Sequence, residues 1–352
     1  MTSDCVFCAQ YSLSTKLKEK LRLTIDIPLE LVSKPNPKRD KKTFKCDRSD
    51  ITGQFFKQVS ALRNSGGGAL FVHIGGLDYA DRNLHYFHEL FDKPLNDLVD
   101  EGDLFIDTFT FLWLKDLETV ENKSHEFLII VVRASSRLST PDYKTKVSTD
   151  HEITQPSGRT LCELLLKTRD IAKEDTVHEI DALPAEGRSV QFKYVKSEFE
   201  KIHASNIDDF VTYMWVSLRL REYITALSKN LNGGSYFVGI EETDNKFSNY
   251  VSKTFQRKGI QILPECKPLI QRELDAKITN CIKVYPDKGT PLIKCNFHNL
   301  QDENVYVIEV AVRPISGCVF YDRDGPEAYE LKNKSVERIS FPVWLTKCTN
   351  VQ

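Results

Sequence analysis

The chain has 352 residues, 41% hydrophobic and 10% aromatic, enough apolar side chain for more than one core and too much for a disordered polymer. Its 48 Lys and Arg against 50 Asp and Glu leave a formal charge of −2, so a polyanion has to be met by a local basic patch, not by the field of the whole molecule. Nine cysteines scattered from Cys5 to Cys348 exclude a disulfide-framed secreted module. With no signal-like start and no run of 18 apolar residues, the sequence predicts a cytoplasmic protein without a membrane span.

Residues 1–20 are set apart as an N-terminal segment. LRLTIDIPLELVS (21–33) alternates as a strand does, and KPNPKRDKKTFK (34–45) then breaks the pattern with two prolines and six basic residues. This basic loop makes Lys38, Arg39, Lys41 and Lys42 candidate phosphate contacts, with a merely solvated loop as the equal alternative. From residue 47 to 68, Ile51, Phe55, Phe56, Val59 and Leu62 have amphipathic helical spacing, with Asp50 placed as the cap and three glycines as the stop. ALFVHIGG (69–76) and EFLIIVVRAS (126–135) read as buried strands, and TLCELLLKTRDIAK (160–173) reads as a helix. HEIDALPAEGRS (178–189) has the Pro and Gly of a connection and marks the expected boundary between a first lobe, 21–178, and a second, 179–352.

The second half opens with VQFKYV as a strand, followed by a polar-rich interval. LRLREYITALSKNLNGG (218–234) is then a helix running into glycines, and SYFVGIEE is another strand. The order helix, Ala-Leu, Asn, double Gly, apolar strand, Gly also occurs in VSALRNSGGGALFVHIGG, about 165 residues earlier, the mark of a duplicated domain. PLIQRELDAKITNCI (268–282) is helical, LIKCNFHNL (292–300) and NVYVIEVAVRP (304–314) are strands, and CVFYDRDGPEAYEL (318–331) is expected as a hairpin. Trp344 is expected to close the second lobe. The fold class expected is α+β, two related lobes from an internal duplication.

Several motifs have plain structural readings. NSGGGALF follows a helix and opens a strand, the reverse of a phosphate loop. Cys5 and Cys8 (CxxC) with Cys295 and His298 (CxxH) make a formal zinc set, but the pairs lie in different expected lobes. Cys162, Cys266 and Cys318 read as buried side chains, His73 as a satisfied core histidine, and Asp322 and Asp324 as turn residues. The acids are more informative. Glu186 stands at the mouth of one strand, and Glu241 and Glu242 stand at the end of another, where carboxylates from adjacent strands can converge on a divalent ion; solvated strand ends are the alternative.

ALRNSGGGALFVHI resembles the "cALLNSGGGVI" element of Schlafen core domains, and EGRSVQFK resembles the family's "ESxxVEFK". REYITALSKNLNGGSYFVGIEE and RPISGCVFYDRDGPEAYELKNKSVERISFPVW resemble two further family segments, and together these cover most of residues 45 to 345 in order. The resemblance implies a short, core-only member, a horseshoe of two lobes with a basic valley for structured RNA, and in some members a metal-dependent endoribonuclease. The family's three catalytic acids fall on Glu186, Gln191 and Glu242, so Glu186 and Glu242 are the expected catalytic residues and ligands of Mg²⁺ or Mn²⁺. Gln191, a neutral amide, weakens the set. The family's zinc positions fall on Lys283, Tyr285, Ser316 and Gly317, none a soft ligand, so no zinc is expected. Short Schlafen-like chains also serve as subunits of a nematode complex that cleaves piRNA precursors, where not every subunit carries an active site. RNA and other Schlafen-like or RNA-processing subunits are thus the expected partners. Two readings stay open: a subunit of an endoribonuclease, or a non-catalytic RNA-binding or scaffold protein.

Overall fold

A computed structural model describes residues 21–32, 41–75, 91, 95–99, 104–114, 127–135, 137–149, 152–166, 186–247, 250–286, 291–300, 303–333 and 335–349. The fold is mixed α+β, and no helix among these residues is long and apolar enough to cross a membrane. The chain divides into two compact units, Met1–Asp142 with Glu327–Gln352, and Tyr143–Pro326. That division falls elsewhere than 178/179, and hydrogen bonds explain it. Residues after Tyr143 are tied into the second unit, where Lys144 O accepts from the Tyr321 N–H at 2.7 Å and the Lys146 N–H donates to Thr225 Oγ1 at 2.9 Å. The last strands and helix are tied into the first unit. Asn64 Nδ2 donates to Tyr329 O at 2.8 Å, the Leu331 N–H donates to Ser65 Oγ at 2.8 Å, and Trp344 Nε1 donates to Thr140 Oγ1 at 3.1 Å.

The first unit is built on β1 (Leu21–Pro28), α1 (Lys41–Asn64), β2 (Gly68–Gly75), β3 (Phe109–Leu114) and β4 (Phe127–Val132). The sheet order is β1-β2-β4-β3, with β1 parallel to β2 and the other pairs antiparallel. One face buries Ile25, Ile27, Leu70, Val72 and Ile130 against Phe55, Val59 and Leu62 of α1, while Ala69, Phe71 and Ile129 are buried on the other. The helix begins ten residues earlier than Asp50 predicts. Once past Pro35 and Pro37, no proline interrupts the stretch from Lys41 to Asn64, so Asp50 lies inside the helix and Lys41 and Lys42 occupy its first turn, not a loop. At its other end the glycines do as expected, the Gly67 N–H bonding back to Leu62 O at 2.8 Å with φ +85° at Gly67. Tyr329–Lys332 pairs with Ser335–Arg338, and Trp344 is almost fully buried in the helix Phe341–Thr349. Trp344 therefore closes the first unit.

The second unit contains α2 (Gly158–Leu166), β5 (Val190–Lys193), α3 (Ile207–Val216), α4 (Leu220–Leu227), β6 (Gly234–Val238), β7 (Ile240–Phe247), β8 (Tyr250–Arg257), α5 (Cys266–Cys281), β9 (Ile293–Asn299) and β10 (Val305–Val312). β5 runs parallel to β6, β6 antiparallel to β10, and β10 antiparallel to β9. The series β5-β6-β10-β9 thus has the order and senses of β1-β2-β4-β3. The glycines that open β2 and β6 meet the same surroundings. A Cβ on Gly68 would lie 2.5 Å from Leu21 O and 2.6 Å from Leu62 Cδ2, and one on Gly234 would lie 2.5 Å from Ser189 O and 2.7 Å from Leu227 Cδ2. Only glycine lets helix and neighbouring strand approach so closely.

Two expectations change here. The interval 196–217 holds α3, which buries Ile207, Phe210, Val211, Met214 and Trp215, a helical stripe that Asp208, Asp209 and Thr212 dilute. The hairpin expected over 318–331 does not form. Asp322 and Gly325 make the turn, but Cys318–Phe320 pairs with Lys283–Tyr285 and Tyr329–Lys332 pairs with Ser335–Arg338.

Candidate functional site

Among the described residues β5 is an edge strand, and EGRSVQFK folds back on itself at that edge. The Gly187 N–H donates to Val190 O at 3.0 Å, which brings Glu186 alongside the strand it precedes. Glu186 Oε1 accepts the Phe192 N–H at 3.1 Å and lies 4.0 Å from Lys193 Nζ, both side chains largely shielded from solvent. The neutral residue at the middle position is also engaged, Gln191 Nε2 donating to Gly187 O and Val190 O at 3.1 Å each. Glu186 Oε2 and Gln191 Oε1 stay outside these bonds.

Around this edge the charges alternate. Lys193 Nζ sits 5.3 Å from the centre of the Tyr223 ring, and Arg219, which starts α4 from a left-handed conformation at φ +59°, pairs with Glu222 at 2.6 Å. Burial pushes the Tyr223 phenol above its usual range; the Arg219 charge opposes this, and the Glu186 and Glu222 charges add to it.

Glu242 comes from the ribbon formed by β7 and β8, which pair antiparallel from Ile240↔Arg257 to Phe247↔Tyr250, and β7 touches β5. The chain kinks out of β6 at Gly239, whose φ is +104° and whose N–H donates to Lys193 O at 2.9 Å. Alternation then separates the two acids. Ile240 is buried with Phe192 and Phe237, Glu242 shares its side of the ribbon opposite Phe255, and Glu241 lies on the other side, 3.4 Å from Lys258 Nζ. Glu242 is exposed. Among the described residues no three His, Cys, Asp or Glu side chains gather closely enough to hold one ion. The Lys38 and Arg39 positions fall outside the described residues, and Lys41 and Lys42 belong to the first unit.

A second polar cluster escaped sequence reading. Glu309, on the middle strand β10, has no exposed surface; Ser235 Oγ donates to its Oε1 at 2.6 Å, and Asn296 Nδ2 and His298 Nε2 reach its Oε2 at 3.1 and 2.8 Å. A Glu in the run VYVIEVAV opposite a strand carrying Asn-x-His was the available signal. The CxxH pair comes apart here, since Cys295 and His298, three apart on one strand, face opposite sides. His298 turns its distal nitrogen inward onto Glu309, so this cluster closes on itself and serves the core. His73 Nδ1 lies 3.1 Å from Asp26, its partner in β1.

Compared with known proteins, the chain matches no family model and no curated protein.

Proposed function

We propose that the chain is an RNA-binding, Schlafen-like subunit of a metal-dependent endoribonuclease complex acting in small-RNA processing, with piRNA precursors as one substrate class, and that its two units descend from one duplicated domain. The observation that supports the duplication is a partial match of the sheets: four strands of the six-stranded second sheet repeat the order and sense of the four-stranded first, with Gly68 and Gly234 wedged between corresponding helix and strand atoms, as the repeat in the sequence suggests. The family resemblance, in which EGRSVQFK stands at the acidic strand, adds the chemistry. Glu186 Oε2 and Glu242 would be the protein's anionic ligands, with the Gln191 amide oxygen as a neutral one. Mg²⁺ or Mn²⁺ would neutralise charge developing on the phosphate and lower the pKa of a bound water. RNA would be drawn in by Lys38, Arg39, Lys41 and Lys42, each releasing counterions on contact.

A second reading, a non-catalytic RNA-binding or scaffold subunit, has its own support: the Glu186 carboxylate already holds the Phe192 N–H and neighbours Lys193, and Gln191 adds no charge. RNA cleavage with Mn²⁺ separates the two, measured for the isolated chain, for the chain with its co-purifying partners, and for Glu186→Gln in each. Loss of cleavage in either preparation on Glu186→Gln supports the nuclease subunit. Cleavage by the complex that is indifferent to it leaves the scaffold. Gln191→Glu is expected to raise Mn²⁺ affinity if the acids act together.

A further inference from the structure

The hydrogen-bond pattern of the second sheet sorts each edge residue into those facing the sheet and those facing away. Ser189 O accepts the Ser235 N–H at 2.8 Å and Lys193 O accepts the Gly239 N–H at 2.9 Å, so the odd-numbered residues of β5 face β6 and Val190 and Phe192 turn their backbone outward. An outward N–H on a sheet edge is what an added strand from another chain would pair with. Val190 is paired by its own turn, through Gly187. Phe192 is paired by a side chain, Glu186 Oε1 at 3.1 Å.

The opposite edge, which among the described residues is β9, repeats the arrangement with different residues. Arg313 N–H donates to Leu292 O and Leu300 N–H to Val305 O, so even-numbered residues of β9 face β10 and Cys295 turns outward. Its N–H donates to Gln271 Oε1, from α5, at 3.0 Å. At both edges a side-chain oxygen occupies the position that a neighbouring strand's carbonyl would take.

We propose that Glu186 and Gln271 are edge locks: each seals the outward N–H of an edge strand, Phe192 in β5 and Cys295 in β9, and keeps the second unit from adding a strand of a second copy. For Glu186 this role is independent of the acidic-site reading, since the lock uses Oε1 as a hydrogen-bond acceptor and a metal would take Oε2. A glutamine at 186 keeps an acceptor and loses the charge; an alanine loses both.

Amide exchange of the full-length chain tests this, read at Phe192 and Cys295, together with sedimentation over a rising protein concentration. Glu186→Ala is expected to speed exchange at Phe192 about tenfold, the loss of one hydrogen bond, and to promote self-association; Glu186→Gln is expected to do neither. Gln271→Ala should speed exchange at Cys295 alone. Unchanged exchange at Phe192 in Glu186→Ala, or equal acceleration in the alanine and glutamine forms, overturns the lock. Should Glu186→Ala not fold, Gln271→Ala with unchanged exchange at Cys295 overturns it at the other edge. Nuclease loss in Glu186→Gln with exchange unchanged separates the two roles, and the metal reading fails alone if cleavage by the complex persists in that variant.

Discussion

Replacing His298 with alanine leaves Glu309, a carboxylate without exposed surface, held by Ser235 and Asn296 alone. A hydrogen bond to a charged group contributes roughly 1.5–3 kcal/mol; His298 is partly exposed, so water repays some of this and the expected loss is about 2 kcal/mol. The first sheet provides the contrast. Glu309 is the register partner of Phe237 as Ile129 is of Phe71, and Ser235 follows Gly234 as Ala69 follows Gly68, so the same scaffold positions are apolar there. Replacing Ser235→Ala and Glu309→Ile together should therefore stay within about 1 kcal/mol of the parent, because a buried polar group replaced by a well-packed apolar one is close to neutral. Urea denaturation at pH 7, followed by circular dichroism, measures both. A double variant as unstable as His298→Ala refutes the reasoning. Acid gives a second readout. Burial alone would raise the Glu309 pKa, but the hydrogen bonds from His298, Ser235 and Asn296 outweigh it and hold the carboxyl below its usual 4.5. With the folded value depressed, the stabilisation is complete above the ordinary carboxylate range and is lost as pH falls through the folded value, a dependence the double variant should flatten.

Gly68→Ala and Gly234→Ala should each destabilise their unit by about 2–3 kcal/mol, since the added carbon meets a backbone oxygen that cannot retreat; equal urea midpoints with the parent would contradict this. Gly53, inside α1 with open space where a Cβ would go, predicts the opposite sign: Gly53→Ala should raise stability by about 0.5–1 kcal/mol in the same assay. Trp344→Phe keeps the ring but loses the bond to Thr140 Oγ1, an expected cost of about 1–2 kcal/mol borne by the first unit, visible as faster amide exchange in α1 with α4 unaffected.

The elements that the sequence reveals are those whose signal is local. The glycine stop after Leu62, the apolar run of β2 and the alternation of β9 and β10 are each carried by a dozen adjacent residues, and each lies within a residue or two of its expected place. What was hidden depends on partners far along the chain. No local pattern says that Leu331 will bond to Ser65, or that Lys146 will bond to Thr225, and these pairings decide which unit a segment joins. The hairpin around Gly325 shows the difference, since its turn is local and forms while its arms pair with strands elsewhere. At the acidic strand, sequence placed Glu186 and Gln191 on one short stretch but could not foresee that both would spend hydrogen bonds on the backbone of that stretch.

The first unit is made from both ends of the chain, and this orders its assembly in time. During synthesis Asp142 emerges long before Glu327, with the 184 residues Tyr143–Pro326 between them, which at about 5–20 residues per second is a wait of roughly 10–40 s. Through that interval Asn64 and Ser65 lack the Tyr329 carbonyl and the Leu331 N–H, and Thr140 lacks Trp344. The second unit is contiguous and has no such wait. The half that begins the chain is thus the last to be finished, and a ribosome that stalls after Pro326 would release one completed unit and one open one.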